Sequence, residues 1–265
     1  MTPGIEKLAM ALAIAGAAGL GAALPLLRGS SARAGHSLSW GNALAAGILL
    51  GIGLIHMLPE SAHLFDELGW RYPIAYGLSA TAFLALLLLE HVLLPDSAHK
   101  AVHARSGEPA GPDERDHPHD IAPYALLAAL SVHSVIAGVT LGAQGSSAGG
   151  FALFAGLMAH KAVEAFALGI SLTRSHVAAA HALGIVAVFA TLTPIGIAAG
   201  ASLAGGLDAP SGRLFEAASL ALAGGTFLYI ASLDLMRDEY LRPGSAWQKW
   251  SWTALGVALT ALLAL

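Results

Sequence analysis

The chain has 265 residues, 56% hydrophobic and only 11% charged, with 31 glycines and a formal net charge of -4. A mean hydropathy of +0.67 excludes an ordinary soluble domain and fits a chain that passes repeatedly through lipid. Cysteine is absent, which excludes disulfides, thiolate metal ligands and cysteine nucleophiles.

Crossing about 30 Å of hydrocarbon takes roughly 20 helical residues. Apolar runs of that order lie near 8–27, 41–58, 73–94, 121–143, 149–173, 177–204, 213–236 and 248–265. They predict an all-α integral membrane protein with eight transmembrane helices in a single transmembrane domain over 1–265. The first run follows Lys7 and exceeds the ~7 to 15 residue core of a signal peptide, so it reads as the first span. No exact repeat is visible.

Between the third and fourth runs, residues 96–120 are polar, acidic and punctuated by Pro and Gly, as a flexible loop would be. The loop holds His99, His103, His117 and His119, weak metal-binding candidates that serve equally well as part of a solubilising linker. Small residues recur four apart at Gly47 and Gly51, Gly138 and Gly142, and Gly196 and Gly200, a spacing that lets membrane helices approach closely. Pro194 falls inside the sixth run and is expected to kink it.

Cytoplasmic loops collect Lys and Arg. An outside N-terminus places Arg28, Arg33, Lys100, Arg105, Arg115, Arg174, Arg237, Arg242 and Lys249 inside, against Lys7, Arg71 and Arg213 outside. The balance puts both termini on the extracellular or periplasmic side, and the 96–120 loop in the cytoplasm. A bacterial inner membrane is the expected location.

Within this apolar background two histidines stand out: His133 in ALLAALSVHSVIAGVTLGA and His160 in FALFAGLMAHKAVEAFALGI, the latter followed by Lys161 and Glu164. Ionisable groups at bilayer depth cost roughly 2.5 to 3.5 kcal/mol each and mark ion or substrate pathways. At 1.5 Å per residue, His133 lies about 18 Å and His160 about 17 Å into their runs, so the two share one depth. His160 and Glu164 are spaced i, i+4 and face the same way. Two imidazoles and a carboxylate suit a first-row divalent cation such as Zn2+, and Ser134 either adds an oxygen or bonds within its own helix. Lys161, three residues before Glu164, can pair with it; its charge would take the place of a second metal ion.

Other polar residues mark the ends of a path. His56, Glu60 and His63 share one face of the second helix at its outer end, as an entrance requires, and Pro59 is expected to disturb that end. Glu90 and His91 on the third helix and Asp234 on the seventh lie near the cytoplasmic ends, placed to receive a departing cation.

At these residues the sequence resembles the ZIP family of divalent metal transporters, the Zrt/Irt-like proteins. The resemblance rests on HSVIAGVTLGAQ at 133–144 and HKAVEAFALGISL at 160–172. GILLGIGLIHMLPES at 47–61, TLTPIGIAAG at 191–200 and GGTFLYIASLDL at 224–235 support it. It implies eight helices in a 3+2+3 inverted-repeat bundle, extracellular termini, a transport site between helices four and five, and a homodimer. It matches His133, His160 and Glu164 to metal-ligand positions, and His56 to a histidine common in the second-helix HMLP segment. Ala137 and Lys161 stand where members with a two-metal centre carry ligands, and Thr193 where some carry a sixth-helix Glu. The HK pair at 160–161 resembles the single-metal branch.

The expected function is therefore import of Zn2+, with Fe2+, Mn2+ or Cd2+ as alternative cargo, through a membrane protein that is not an enzyme. Imidazole ligands must be deprotonated, so uptake should weaken as pH falls through the low sixes. Two other readings compete. A membrane metal sensor would signal through the loop histidines without transport. A hydrolase would use the G-x-S-x-G formed by Gly145, Ser146, Ser147, Ala148 and Gly149, but that segment joins two helices rather than a strand and a helix, and the zinc-protease pattern H-E-x-x-H is missing.

Overall fold

The structure, a computed structural model, describes residues 3–28, 32–70, 72–93, 122–143, 147–175, 177–203 and 209–263. Among them every regular element is helical. Span one is Pro3–Arg28. Span two runs as α-helix over Ala32–Gly51, passes through a π turn at Ile52–Met57, and continues as Leu58–Glu67. Span three is Ile74–Leu88 with a π turn at Leu89–Leu93. Spans four, five and six are Ala122–Ala143, Ser147–Arg174 and Ala179–Leu203. Span seven is Ala209–Tyr229, a π turn at Ile230–Met236, and Arg237–Leu241; span eight is Ala246–Leu263.

The chain is an integral membrane protein: seven of these helices are long and apolar enough to cross a bilayer. Span eight is weaker because Gln248 and Lys249 in its first turn dilute its apolar content. Spans two and seven reach well beyond the apolar runs 41–58 and 213–236, since polar residues at both ends remain helical. Pro59 does not end span two. It lacks an amide to bond one turn back, and the chain accommodates it at the start of Leu58–Glu67, directly after the π turn. The sixth helix likewise continues through Pro194.

The packing contains an inverted repeat. Span one packs on span five as span six packs on span four, span two on span eight as span seven on span three, and span two on span five as span seven on span four. Exchanging one with six, two with seven, three with eight and four with five preserves these pairings. Exchanged partners have opposite parity in the chain and so run in opposite directions. The π turns at Ile52–Met57 and Ile230–Met236 fall in spans two and seven, which are themselves exchange partners.

Glycine sets the closest approaches. Gly138 and Gly142 of span four face Gly196 and Gly200 of span six; a Cβ on Gly196 would stand 2.9 Å from the Gly138 Cα, nearer than packed carbon atoms allow. The same device joins Gly47 to Gly256 between spans two and eight, and Gly21 and Gly169 fit spans one and five together. Spans one, four, five and six thus form one tightly packed group, and two, three, seven and eight another. The turn after span two closes at Gly69, whose φ of 81° favours a residue without a Cβ.

Candidate metal site

Spans four and five bring His133, His160 and Glu164 together, each no more than 4% exposed. One ligand atom from each lies within 4.8 Å of the others. Glu164 Oε1 stands 3.2 Å from His133 Nε2 and 3.7 Å from His160 Nε2. Ligands about 2.0 to 2.1 Å from a tetrahedral zinc ion stand about 3.3 Å apart, so the spacing suits one ion. All three atoms, and His133 Nδ1, are buried without a hydrogen-bond partner. Buried polar atoms are ordinarily partnered because leaving them bare costs roughly 1 to 3 kcal/mol each; here a group of them converges on one point.

The walls of the cluster are ordered from two sides. Phe227 of span seven stacks on the His133 ring at 4.1 Å between centroids and meets the His160 ring edge-on at 5.2 Å. On the other side Lys161 Nζ, fully buried, lies 3.0 Å from Glu164 Oε2, donates to Ser134 Oγ at 2.7 Å and sits 3.9 Å above the Phe189 ring. Ser134 in turn donates to the Leu130 carbonyl at 2.6 Å. The serine thus holds the lysine and bonds within its own helix. Glu164 is split in role: Oε2 belongs to the lysine and Oε1 to the cluster.

The residues expected at the path ends separate. His56 projects toward span five, its Nε2 3.6 Å from where a Cβ on Gly156 would sit. Glu60 and His63 are exposed, and His63 Nδ1 lies 3.9 Å from Glu67, which Arg213 holds at 2.8 Å. Glu90, His91 and Asp234 do gather, around a residue the sequence reading did not single out: Tyr229 donates to Glu90 Oε2 at 2.7 Å and lies 3.2 Å from His91 Nδ1. Asp234 Oδ2 is buried without a hydrogen-bond partner. His99, His103, His117 and His119 fall outside the described residues, as do Gly145 and Ser146.

The ZIP Zinc transporter family model matches residues 94–264, well over half of the chain. The chain belongs to the ZIP zinc transporter family. Its ZIP relatives include zinc transporter ZIP2 of Mus musculus, 27% identical over 83% of this chain and 83% of that protein. Zinc transporter ZIP1 of Bos taurus is 28% identical over 79% and 72%. Zinc transporter 3 of Arabidopsis thaliana is 25% identical over 76% and 64%.

Two further features of this ZIP chain, besides Tyr229, escaped the sequence reading. Phe227 lies in GGTFLYIASLDL, where an aromatic reads as ordinary apolar filling. Glu239, in the polar RDEY segment at the end of span seven, is fully buried. It accepts from Ser39, from Asn42 Nδ2 at 3.1 Å and from Arg174 Nη2 at 2.7 Å, with Lys249 Nζ 3.7 Å away. Spans two, five, seven and eight are tied together there. Thr193, standing where some ZIP members carry Glu, is buried and its Oγ1 has no partner.

Proposed function

We propose that this chain carries a divalent metal ion, with Zn2+ as the leading cargo and Fe2+, Mn2+ or Cd2+ as alternatives, from the extracellular or periplasmic side into the cytoplasm. His133 Nε2, His160 Nε2 and Glu164 Oε1 bind the ion between spans four and five. The observation that carries this reading is the convergence of those three buried, unpartnered atoms at ligand spacing. The family supports it, since the relatives compared are zinc transporters by name. The excess of Lys and Arg on one side supports an orientation with both termini outside.

Lys161 sets the count at one ion. An ammonium 3.0 Å from Glu164 Oε2 occupies the flank where a second cation would have to sit, and it balances the carboxylate when no metal is bound. The ion comes in past the His56, Glu60 and His63 end and leaves toward Glu90, His91 and Asp234. Movement between the two packed groups of spans exposes the cluster to each side in turn. A homodimer in the lipid bilayer is the assembly the family resemblance suggests.

The test is Zn2+ uptake by proteoliposomes containing the purified chain. Uptake should disappear in His133→Ala and Glu164→Ala proteins that remain monodisperse. Uptake that persists unchanged in both would sink the assignment. Removing residues 96–120 separates the sensor reading, because a transporter should keep appreciable flux without them.

A further inference from the structure

His133 lacks the support that a metal-ligating histidine ordinarily receives. An imidazole that ligates through Nε2 carries its proton on Nδ1, and that N–H usually donates to a carboxylate, a carbonyl or water, which fixes the orientation of the ring. His133 is fully buried and its Nδ1 has no hydrogen-bond partner. Thr226, on the facing stretch of span seven, spends its hydroxyl on the Ala223 carbonyl at 2.7 Å. What meets the His133 ring is Phe227, stacked on it at 4.1 Å between centroids with 29° between the planes. The same phenyl ring meets the His160 ring edge-on, at 5.2 Å and 86°. One side chain from span seven thus bears on both imidazoles of a cluster whose ligands come from spans four and five. Its root is held as well. Span two comes so close at Gly53 that a Cβ there would stand 3.5 Å from the Phe227 Cβ, and the phenylalanine is fully buried.

We propose that Phe227 is a positioning residue for metal binding: its ring takes the place of the missing outer hydrogen bond and holds the His133 imidazole with Nε2 aimed at the cluster. The proposal rests on the central-cluster reading above. Turning the His133 ring about its bond to Cβ would drive one edge into a phenyl face only 4.1 Å away, a separation already near the optimum of about 3.5 to 4.0 Å for packed carbon atoms. The edge-on contact steadies His160 in the same way and leaves its Nε2 facing Glu164 Oε1 at 3.7 Å. Stacked and edge-to-face pairs are favoured aromatic geometries, so both rings are held and neither ligand nitrogen is spent. A hydrogen-bond acceptor on Nδ1 would also raise the basicity of the ligand. Stacking orients the ring without that added grip, which suits an ion that must leave again. An aliphatic side chain at position 227 fills similar space but offers no flat face.

The experiment compares Phe227→Leu, Phe227→Met and Phe227→Tyr by equilibrium titration of the detergent-solubilised, monodisperse chain. Zn2+ is one probe and Co2+ the other, because the visible absorption of Co2+ is strongest when its ligands stand tetrahedrally. Phe227→Leu and Phe227→Met are expected to lower affinity for both ions by about tenfold, the size of change that loss of outer support produces, and to weaken the Co2+ absorption per bound ion. Phe227→Tyr keeps the aromatic face and should stay within about threefold of the original affinity, with the absorption retained. Unchanged affinity and absorption in the Leu and Met variants overturns the proposal. So does a Tyr variant that loses as much as they do, because the flat face would then not be what matters. If Phe227→Leu does not remain monodisperse, the Met and Tyr variants carry the test. Glu164→Ala serves as the separate check: should it retain equilibrium binding, the central-cluster reading fails whatever the Phe227 variants do.

Discussion

Two buried carboxylates in this molecule live in opposite circumstances. Glu239 is met by a serine hydroxyl, an amide, a guanidinium and an ammonium drawn from three other spans. Lys249, beside it, spends further protons on the carbonyls of Glu239 and Arg242 at 2.7 and 2.8 Å. Glu164 has the same burial, yet protein groups satisfy only Oε2, while Oε1 and the facing imidazole nitrogens have no hydrogen-bond partner. A carboxylate whose every lone pair is answered by protein is a brace. One whose free oxygen converges with free imidazole nitrogens is a site that a cation completes.

That comparison predicts different failures. Glu239→Ala should cost the most stability, about 3 to 5 kcal/mol, because it leaves the buried Lys249 ammonium without a carboxylate and Arg174 with only Asp238; a thermal denaturation midpoint in detergent would read it. Glu164→Ala should lower Zn2+ affinity by more than about 100-fold, beyond what outer-sphere changes do, whereas Glu239→Ala should leave Zn2+ affinity unchanged. Equal loss of Zn2+ affinity in the two variants would break the distinction. Enlarging Gly138 to Val should cost about 1 to 3 kcal/mol by forcing spans four and six apart, again read by melting. Lys161→Gln should tighten Zn2+ binding, since it removes a like charge beside the ion, and calorimetric titration would detect the opposite sign. Smallest of all, Arg213→Ala removes an exposed pair with Glu67 and should change stability by no more than about 1 kcal/mol.

The central cluster was legible in the sequence because its members are chemically foreign to their surroundings. His133, His160 and Glu164 interrupt runs that are otherwise apolar, and helical arithmetic alone gives their common depth and face. The all-helical architecture was legible for the same reason, through the length of the runs. Glu239 was hidden because it sits among Arg237, Asp238 and Tyr240 at a helix end, where charge is expected and burial cannot be guessed. Phe227 was hidden by the reverse effect, an aromatic among apolar residues. The aim of His56 toward Gly156 depends on a π turn that shifts the helical phase, so a constant rise and 3.6-residue period could not supply it. Ser134 was left between two roles by its sequence, which could not show that its hydroxyl accepts from the Lys161 ammonium.

Equilibrium titration of the purified chain with Zn2+ tests the central claim most directly. The account predicts one ion bound per chain, with binding lost in His133→Ala, His160→Ala and Glu164→Ala proteins that still run as monodisperse species. One ion retained at unchanged affinity in any two of those variants, or two ions bound by the unaltered chain beside Lys161, would contradict it.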